Sequence, residues 1–280
     1  MSLRPGLRAI ALGIGMVLAA GPALSQTPKV QTLKAQTLKV GGTGAVTALL
    51  DQIGPAFTAD TGIALDVVPG MGTSGGISAV GDGKLGVAFS GRPLRDKEVA
   101  RGLKAVATWR TPFGFVTSRR GPDNFEKARI VAIYRTDRPL WPDGMPLLLH
   151  LRPSDESDYI VLGELFPGIT DAFQALRKRP DLSVAATDQD NADMAERVKG
   201  SLTAATLTQI ISEKRDLTFV SIDGVAVTLE NYEKGSYPYA KPLYLIAPAA
   251  VSPEAQAFIA FLAKPAGEAL LRRAGMIAGK

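Results

Sequence analysis

The chain has 280 residues, of which 46% are hydrophobic and 21% are charged, and its formal net charge is +5. This length allows one large or two modest domains, and ordinary apolar content with low net charge excludes intrinsic disorder. The sequence has no cysteine and one histidine, which excludes disulfides, thiolate metal sites, cysteine nucleophiles, a lipid-modified N-terminal cysteine and multi-histidine metal centres. The basic residues are spread along the chain, so the charge permits an anionic partner without indicating nucleic acid.

The first 25 residues have the three-part layout of a secretory signal peptide. Arg4 and Arg8 precede an apolar run over 9–20, and a Gly-Pro break and small residues follow before Gln26. The run is shorter than the roughly 20 residues that span a bilayer, so we expect cleavage rather than an uncleaved anchor. The mature protein is therefore expected to be soluble, exported and not lipid-anchored, most simply in a bacterial periplasm.

After a polar stretch over 26–37, which predicts a flexible lead-in, short apolar runs alternate with helical patterns. This alternation predicts an α/β fold with a mostly parallel sheet and helices on both faces. Strands are predicted at residues 38–40, 63–68, 85–90, 105–109, 113–118, 147–151, 217–222 and 243–247. Helices are predicted at residues 45–60, 96–103, 125–134, 159–165, 169–179, 191–198, 206–212, 225–234, 253–263 and 266–274, with a short helix after the glycines at 75–76. No Ser- or Gly-rich linker interrupts the pattern, so we expect two lobes joined by strands that cross between them.

Two Gly-rich loops each lie between a predicted strand and a predicted helix. The first is Gly42-Thr43-Gly44 and the second is Gly72-Thr73-Ser74-Gly75-Gly76. Glycine lets the backbone approach a ligand closely, and the first N–H groups of a helix have no intrahelical partner. With the Thr and Ser hydroxyls, these groups form donors suited to an oxyanion at the positive ends of two helix dipoles. The alternative is that tight strand-to-helix turns simply need glycine.

The segment 70–75 also fits the dinucleotide fingerprint G-x-G-x-x-G. However, Pro69 directly precedes it, and no acid ends the next strand, where Ser90 and Gly91 stand. These departures argue against NAD binding, and we expect no cofactor.

Hydroxyl and guanidinium groups follow two other predicted strands. Ser90-Gly91-Arg92 follows one strand and Arg152 follows another. Ligands of open α/β sheets bind at such strand ends, and arginine matches tetrahedral oxyanions bidentately. A surface salt bridge is the alternative for either arginine. His150 is expected to be packed or capping, because no paired nucleophile accompanies it.

Five segments resemble the substrate-binding proteins of phosphate-type ABC transporters: VGGTGAVTALL, VVPGMGTSGGI, GVAFSGRPL, LRPSDES and IDGVAVTLENYEKGSYPYAKPLYL. The resemblance runs from about Leu38 to the C-terminus. It implies a type II periplasmic-binding fold, with one lobe from 38–112 plus 242–280 and the other from 113–241, closing over an anion. It also implies a binding protein rather than an enzyme, a monomer without metal or cofactor that delivers phosphate to an ABC permease in the inner membrane.

The residues expected to bind the ligand lie in the two loops and at the two strand ends. They are Thr43, Gly44, Ala45, Gly72, Thr73, Ser74, Ser90, Gly91, Arg92, Arg152, Ser154 and Ser157.

The sequence departs from the family pattern at two places. Gly91 stands where many members carry an acid that accepts the proton of hydrogen phosphate, and Ser-Asp-Glu-Ser-Asp at 154–158 replaces the usual Ser-Gly-Thr. A carboxylate about 4 Å from an anion costs about 4 kcal/mol at an effective dielectric constant near 20, which is roughly three decades of affinity. Either these acids face solvent, or one replaces the missing proton acceptor, or the ligand differs from phosphate.

Three functions are therefore considered. The leading one is an exported protein that captures an oxyanion, with phosphate as the first candidate, for delivery to a permease. The second is an envelope sensor or scaffold with the same fold and a degenerate or different ligand site, which the acidic segment 155–158 favours. The third is an exported hydrolase using Ser74 or Ser90, although no segment resembles a nucleophile elbow.

Overall fold

A computed structural model describes residues 36–121 and 123–279 of the chain. The predicted signal peptide at 1–25 and the lead-in as far as residue 35 lie outside the described residues. The predicted lead-in extends one residue too far, because Thr37 already belongs to the first strand. No helix in the described part of the chain is long and apolar enough to cross a membrane.

Strands and helices alternate through the described residues. The strands are β1 (Thr37–Gly42), β2 (Ala64–Val68), β3 (Val87–Ser90), β4 (Lys104–Thr117), β5 (Asn124–Phe125), β6 (Leu148–Leu151), β7 (Ser183–Val184), β8 (Ser201–Thr206), β9 (Thr218–Phe219), β10 (Ser221–Ile222), β11 (Ala240–Ala247) and β12 (Ile277–Ala278). The helices are α1 (Thr47–Thr61), α2 (Gly72–Gly81), α3 (Asp96–Val99), α4 (Lys127–Arg135), α5 (Ser157–Leu165), α6 (Ile169–Leu176), α7 (Asp188–Arg197), α8 (Leu207–Glu213), α9 (Leu229–Glu233), α10 (Pro253–Leu262) and α11 (Pro265–Arg273).

Most strands join one sheet in the order β2-β1-β3-β11-β4-β8-β6-β7, and β9 and β12 also pair with β4. Within this sheet, β1 pairs in parallel with β2 and β3, and β6 pairs in parallel with β7 and β8. The two parallel sets are joined by antiparallel pairs, in which β11 contacts β3 and β4, and β4 contacts β8. Long crossing strands therefore link two parallel sets of strands, which confirms the predicted fold class.

Two large hydrophobic clusters bury the faces of the sheet. One draws its buried residues from 38–109 and 243–276, and at its centre Phe57 packs edge-on against Phe258 with ring centroids 5.2 Å apart. The other draws all its buried residues from 113–239. Each cluster buries the apolar faces of its own helices, so each supplies a separate source of hydrophobic stability.

The structure differs from the predicted strands at several places, which include the unpredicted short strands β5, β7 and β12. Residues 104–117 form one strand rather than two, because the ladder with β11 continues through the polar residues that interrupt the apolar run. β8 was not predicted, since serine, alanine and threonine make up all of it except Leu202, yet every residue of it is buried. The predicted strand at 217–222 divides around Val220, whose N–H donates to the Phe115 carbonyl.

Candidate functional site

The first Gly-rich loop is tied to the end of β3. The N–H of Thr43 donates to the Phe89 carbonyl at 2.9 Å, so this amide is not free to bind a ligand. Gly44 and Ala45 follow in a buried 3₁₀ turn that leads into α1. The loop therefore places Gly44 at the end of the sheet, where ligands of α/β folds bind.

Gly44 contacts the first residues of α7. A Cβ at this position would lie 2.6 Å from the Asp188 Oδ2, so glycine is required for the contact. The Gln189 Nε2 donates to the Gly44 carbonyl at 2.9 Å and to the Glu213 Oε1 at 2.6 Å. Segments that are far apart in sequence thus meet at the loop.

The second Gly-rich loop faces α5. Gly72 has a positive φ of 62° and begins α2, and a Cβ there would lie 3.1 Å from the Glu156 Oε1. The buried Thr73 Oγ1 accepts the N–H of Gly91 at 3.0 Å and lies 3.5 Å from the Ser157 Oγ. Four predicted site residues, Gly72, Thr73, Gly91 and Ser157, therefore lie together, although the Gly91 amide is already paired.

Arg92 does not join this group. Its guanidinium donates to both carboxylate oxygens of Glu98, at 2.8 and 2.9 Å, and to the Ser74 Oγ at 3.3 Å. The Ser90 Oγ donates to the Arg92 carbonyl at 2.6 Å. The hydrogen bonds from Arg92 hold the pKa of Glu98 at about 2. Ser74, Ser90 and Arg92 thus stabilise the turn between β3 and α3, and their contact with a ligand stays a prediction.

Arg152 follows β6 and is buried among acids. Its Nη1 donates to the Ala185 carbonyl at 2.8 Å, and its Nη2 lies 3.6 Å from the Glu156 Oε2 and 3.8 Å from the Asp188 Oδ1. The Asp158 Oδ2 is 4.0 Å from its Nε, which has no hydrogen-bond partner among the described residues. Since hydrogen bonds to nitrogen donors span about 2.7–3.2 Å, these carboxylates attract Arg152 without occupying its donors.

A second buried cation comes from β11. Lys241 is 1% exposed, and its Nζ donates to the Asp158 Oδ1. A Cβ at Gly91 would lie 2.6 Å from the Lys241 Cε and would overlap the Ser157 Oγ. Lys241 and Ser157 therefore fill the space beside the position where the resemblance leads one to expect an acid.

Asp188 reaches the site because α7 begins earlier than predicted. The Thr187 Oγ1 accepts the N–H of Asp190, whose Oδ2 accepts the N–H of Thr187, and this capping box starts the helix at Asp188. Burial, followed by the nearby Asp158 carboxylate, raises the pKa of Asp188. Burial also raises the pKa of Glu156.

A cavity of about 60 Å³ lies between the two Gly-rich loops, Arg152 and the start of α7. Its walls include Gly44, Gly72, Arg152, Glu156 and Asp188. The volume has room for a few water molecules or one small anion. The cavity is lined by one guanidinium and two carboxyl groups, so its charge depends on how many protons the carboxyl groups hold.

Ser154 and His150 are the remaining residues that the sequence analysis singled out. Ser154 is exposed in the turn before α5. His150 is buried, as expected of a packed histidine, and burial lowers its pKa. Neither of its ring nitrogens has a hydrogen-bond partner in the described chain.

Sequence reasoning did not assign ligand-binding roles to the charged residues that surround Arg152. For the acids at 155–158 the sequence left open whether they face solvent or one of them replaces the missing proton acceptor, because their spacing does not show which of them turn inward. Lys241 carried one local signal, a cation inside an apolar run of β11. Asp188 carried another, its place directly after a threonine that caps a helix.

A family model described as PBP superfamily domain matches residues 26–266. The chain belongs to this family. Among curated proteins, none matches the chain.

Three solved structures show what this PBP domain is similar to. A putative phosphate ABC transporter substrate-binding protein from Clostridium perfringens, with bound phosphate, is 16% identical, with 88% of this chain and 100% of that chain covered and a TM-score of 0.75. An ABC-type phosphate transport receptor from Vibrio cholerae is 15% identical over 87% of this chain and 100% of that chain, with a TM-score of 0.58. The periplasmic molybdate-binding protein of Azotobacter vinelandii is 16% identical over 87% of this chain and 100% of that chain, with a TM-score of 0.57.

At these identities the similarity shows the fold, which is the type II periplasmic-binding fold predicted from the sequence. Membership of the PBP superfamily, which the resemblance of the five segments implies, is also confirmed. The proteins to which this PBP domain is similar are binding proteins rather than enzymes.

Proposed function

We propose that this protein is exported and captures a small oxyanion, with phosphate as the first candidate, between two lobes for delivery to an ABC permease. The observation that carries the proposal is the buried Arg152 guanidinium at a cavity framed by both Gly-rich loops. Arginine donates in the planar geometry that oxyanions accept. Its Nε has no partner in the part of the chain that the structure describes, which leaves it a donor.

The proposed lobes are residues 38–112 with 242–280 and residues 113–241. Supporting this division, the two large hydrophobic clusters fall on opposite sides of those limits. The strand β4 crosses the limit between residues 112 and 113, and β11 crosses the limit between residues 241 and 242. The cavity is lined by Gly44 and Gly72 from the first proposed lobe and by Arg152, Glu156 and Asp188 from the second, so closure of the lobes would enclose a ligand.

Hydrogen bonds supply enough free energy for this role. A hydrogen bond to a charged group contributes roughly 1.5–3 kcal/mol, and micromolar binding requires about 8 kcal/mol. Donors from Arg152 and from the first turns of the two helices would together reach this value in a cavity that excludes water. Binding without turnover is the mechanism, because capture requires only that these groups replace the water around the anion.

The choice of phosphate rests on similarity to solved structures, and the proposal of export rests on the N-terminal sequence. Two of the similar structures are named as phosphate-transport proteins and one as a molybdate-binding protein. The three-part pattern over 1–25 favours removal of a signal peptide and a periplasmic location. A monomer and an ABC permease partner follow from the same resemblance.

A sensor or scaffold with a degenerate site is the second candidate. It is favoured by Asp158, Asp188 and Glu156, because three carboxylates near Arg152 oppose the entry of an anion. The hydrolase hypothesis has less support, since the Ser74 and Ser90 hydroxyls are both hydrogen-bonded to Arg92.

Isothermal titration of the purified protein with phosphate, sulfate and molybdate tests the proposal. We expect binding of at least phosphate, weakened about 100-fold by Arg152→Met because two charge-assisted hydrogen bonds are lost. Arg120→Met is the matched control, since Arg120 is exposed and pairs with Asp216 at the surface; it is expected to bind like the wild type. Absence of binding heat with all three anions would reject oxyanion capture. If the Arg152 variant still bound an envelope partner of the wild type, that result would favour the sensor.

A further inference from the structure

The charges around the cavity are unbalanced for an anion site. Arg152 and Lys241 are the cations, and Glu156, Asp158 and Asp188 are the carboxyl groups that face them. With every group ionised, two positive charges meet three negative ones, and the cluster carries a charge of −1. An oxyanion would enter a cluster that is already negative.

The pairing within the cluster leaves two carboxyl groups at the cavity wall. Lys241 donates directly to Asp158, which compensates the charge of that acid. Glu156 and Asp188 line the cavity instead, 3.6 and 3.8 Å from the Arg152 Nη2 and so without a short hydrogen bond to it. Each of them, if ionised, would stand within a few ångströms of a bound anion, which would lower its affinity roughly 1000-fold.

The surroundings favour the neutral form of these two groups. Burial raises the pKa of both Glu156 and Asp188. The charged groups that face them are Arg152 at the end of β6, Asp158 on α5, Lys241 on β11 and, for Asp188, Glu213 on α8. Glu213 pairs with Arg215 from the chain that follows α8, and Arg215 also pairs with Asp193 and Glu196. A neutral carboxyl group carries an O–H that donates to an anion, so protonation converts repulsion into a hydrogen bond.

We propose that the cavity takes up its oxyanion together with one or two protons, held between the anion and the carboxyl groups of Glu156 and Asp188. This inference rests on the proposed function and adds the ligand's form: a protonated oxyanion, or an oxyanion bound with protons taken from water. Where the free anion and the free carboxyl groups are both deprotonated, either location of the proton requires the same uptake from solution. The positive charge is supplied by Arg152, while Lys241 acts as a positioning residue that compensates Asp158.

The coupling between proton uptake and anion binding determines how the affinity changes with pH. A complex that holds one more proton than its separated partners loses about tenfold in affinity for each unit that the pH rises. The proposed site therefore binds phosphate more tightly at low pH. Its binding heat depends on the buffer, because the buffer must release the proton that the complex takes up.

Titration calorimetry with inorganic phosphate, in two buffers of different ionisation enthalpy at about pH 5.5 and about pH 8.5, tests this coupling. We expect at least tenfold weaker binding at the higher pH and a buffer-dependent heat there, where both phosphate and the carboxyl groups have lost protons that the complex holds. At the lower pH, phosphate is already dihydrogen phosphate, so uptake there belongs to the protein. The wild-type measurements need no variant and do not depend on how a substitution folds.

The amide variants Glu156→Gln and Asp188→Asn identify the groups that hold the protons. Each is expected to raise phosphate affinity at the higher pH at least tenfold and to lower the proton uptake. Glu164→Gln is the matched control, because Glu164 lies on the same helix as Asp158 but is exposed. Equal affinity at both pH values with a buffer-independent heat would overturn the coupling and leave oxyanion capture standing, whereas no binding at either pH would overturn oxyanion capture itself.

Discussion

The Lys241 ammonium on β11 donates to the Asp158 carboxylate on α5, and both side chains are almost fully buried. The two residues are 83 positions apart in the chain. Gly91 lies against the Lys241 Cε, where any side chain would collide with it. This ion pair therefore joins the crossing strand to the helix that begins beside the cavity.

Lys241→Met is expected to lower the free energy of unfolding by about 3–5 kcal/mol, because it leaves the buried Asp158 carboxylate without its hydrogen-bonded cation and with only the Arg152 Nε at 4.0 Å beside it. The double variant with Asp158→Asn should recover most of the loss, since the uncompensated charge is then gone. Urea denaturation followed by circular dichroism measures both. As a control, Lys234→Met breaks the exposed pair with Glu230 and should change stability by less than about 1 kcal/mol; a Lys241 variant no worse than this control would contradict the assignment.

Gly91→Ala tests the close packing at the end of β3. The added Cβ would overlap the Ser157 Oγ and crowd the Lys241 Cε, which should destabilise the protein by about 2 kcal/mol. Gly75→Ala is the matched control, since Gly75 lies inside α2 and a Cβ there would meet only the Met71 Cβ at 3.5 Å; it should stabilise the helix by about 0.5–1 kcal/mol. Thermal unfolding of both variants gives the comparison, and equal effects would show that Gly91 is not tightly enclosed.

The pair of Arg92 and Glu98 predicts a specific pH dependence of stability. Because the folded-state pKa of Glu98 is about 2, below its ordinary value of 4.5, its contribution is present above about pH 4.5 and is lost as the pH falls toward 2. The shift corresponds to about 3 kcal/mol. Glu98→Gln should therefore be less stable than the wild type at neutral pH.

Urea unfolding at a series of pH values measures this difference between the wild type and the Glu98 variant. It should be largest above about pH 5 and should shrink toward zero near pH 2. Glu164→Gln, which removes an exposed acid, should give no such trend. A difference that stays constant with pH would mean that the charge of Glu98 contributes nothing to stability.

Thr187 holds the beginning of α7, and with it Asp188, against the first Gly-rich loop. Thr187→Ala is expected to lower the free energy of unfolding by about 1 kcal/mol through loss of the cap. Thr187→Ser keeps the hydroxyl and should remain within a few tenths of a kcal/mol of the wild type. Chemical denaturation compares the two, and an alanine variant as stable as the serine variant would show that the cap is dispensable.

The sequence predicted the fold because its signals are local. Alternation of apolar runs with helical patterns, glycines after strands and Pro or Gly at helix ends act within a few residues. For the same reason the two Gly-rich loops and the position of Arg152 after β6 were correctly placed. Where pairing across the sheet decided the outcome, as in the continuous β4 and the small-residue strand β8, the local pattern was insufficient.

The sequence by itself thus determined the α/β architecture, the family and the segments that approach the cavity. Only the tertiary structure decided which charged side chains meet there: Arg92 binds Glu98, whereas Lys241, Asp158 and Asp188 gather around Arg152. The physical reason is that a charge takes its partner from whatever the fold brings within a few ångströms, and electrostatic energy depends on that distance and burial rather than on separation along the chain.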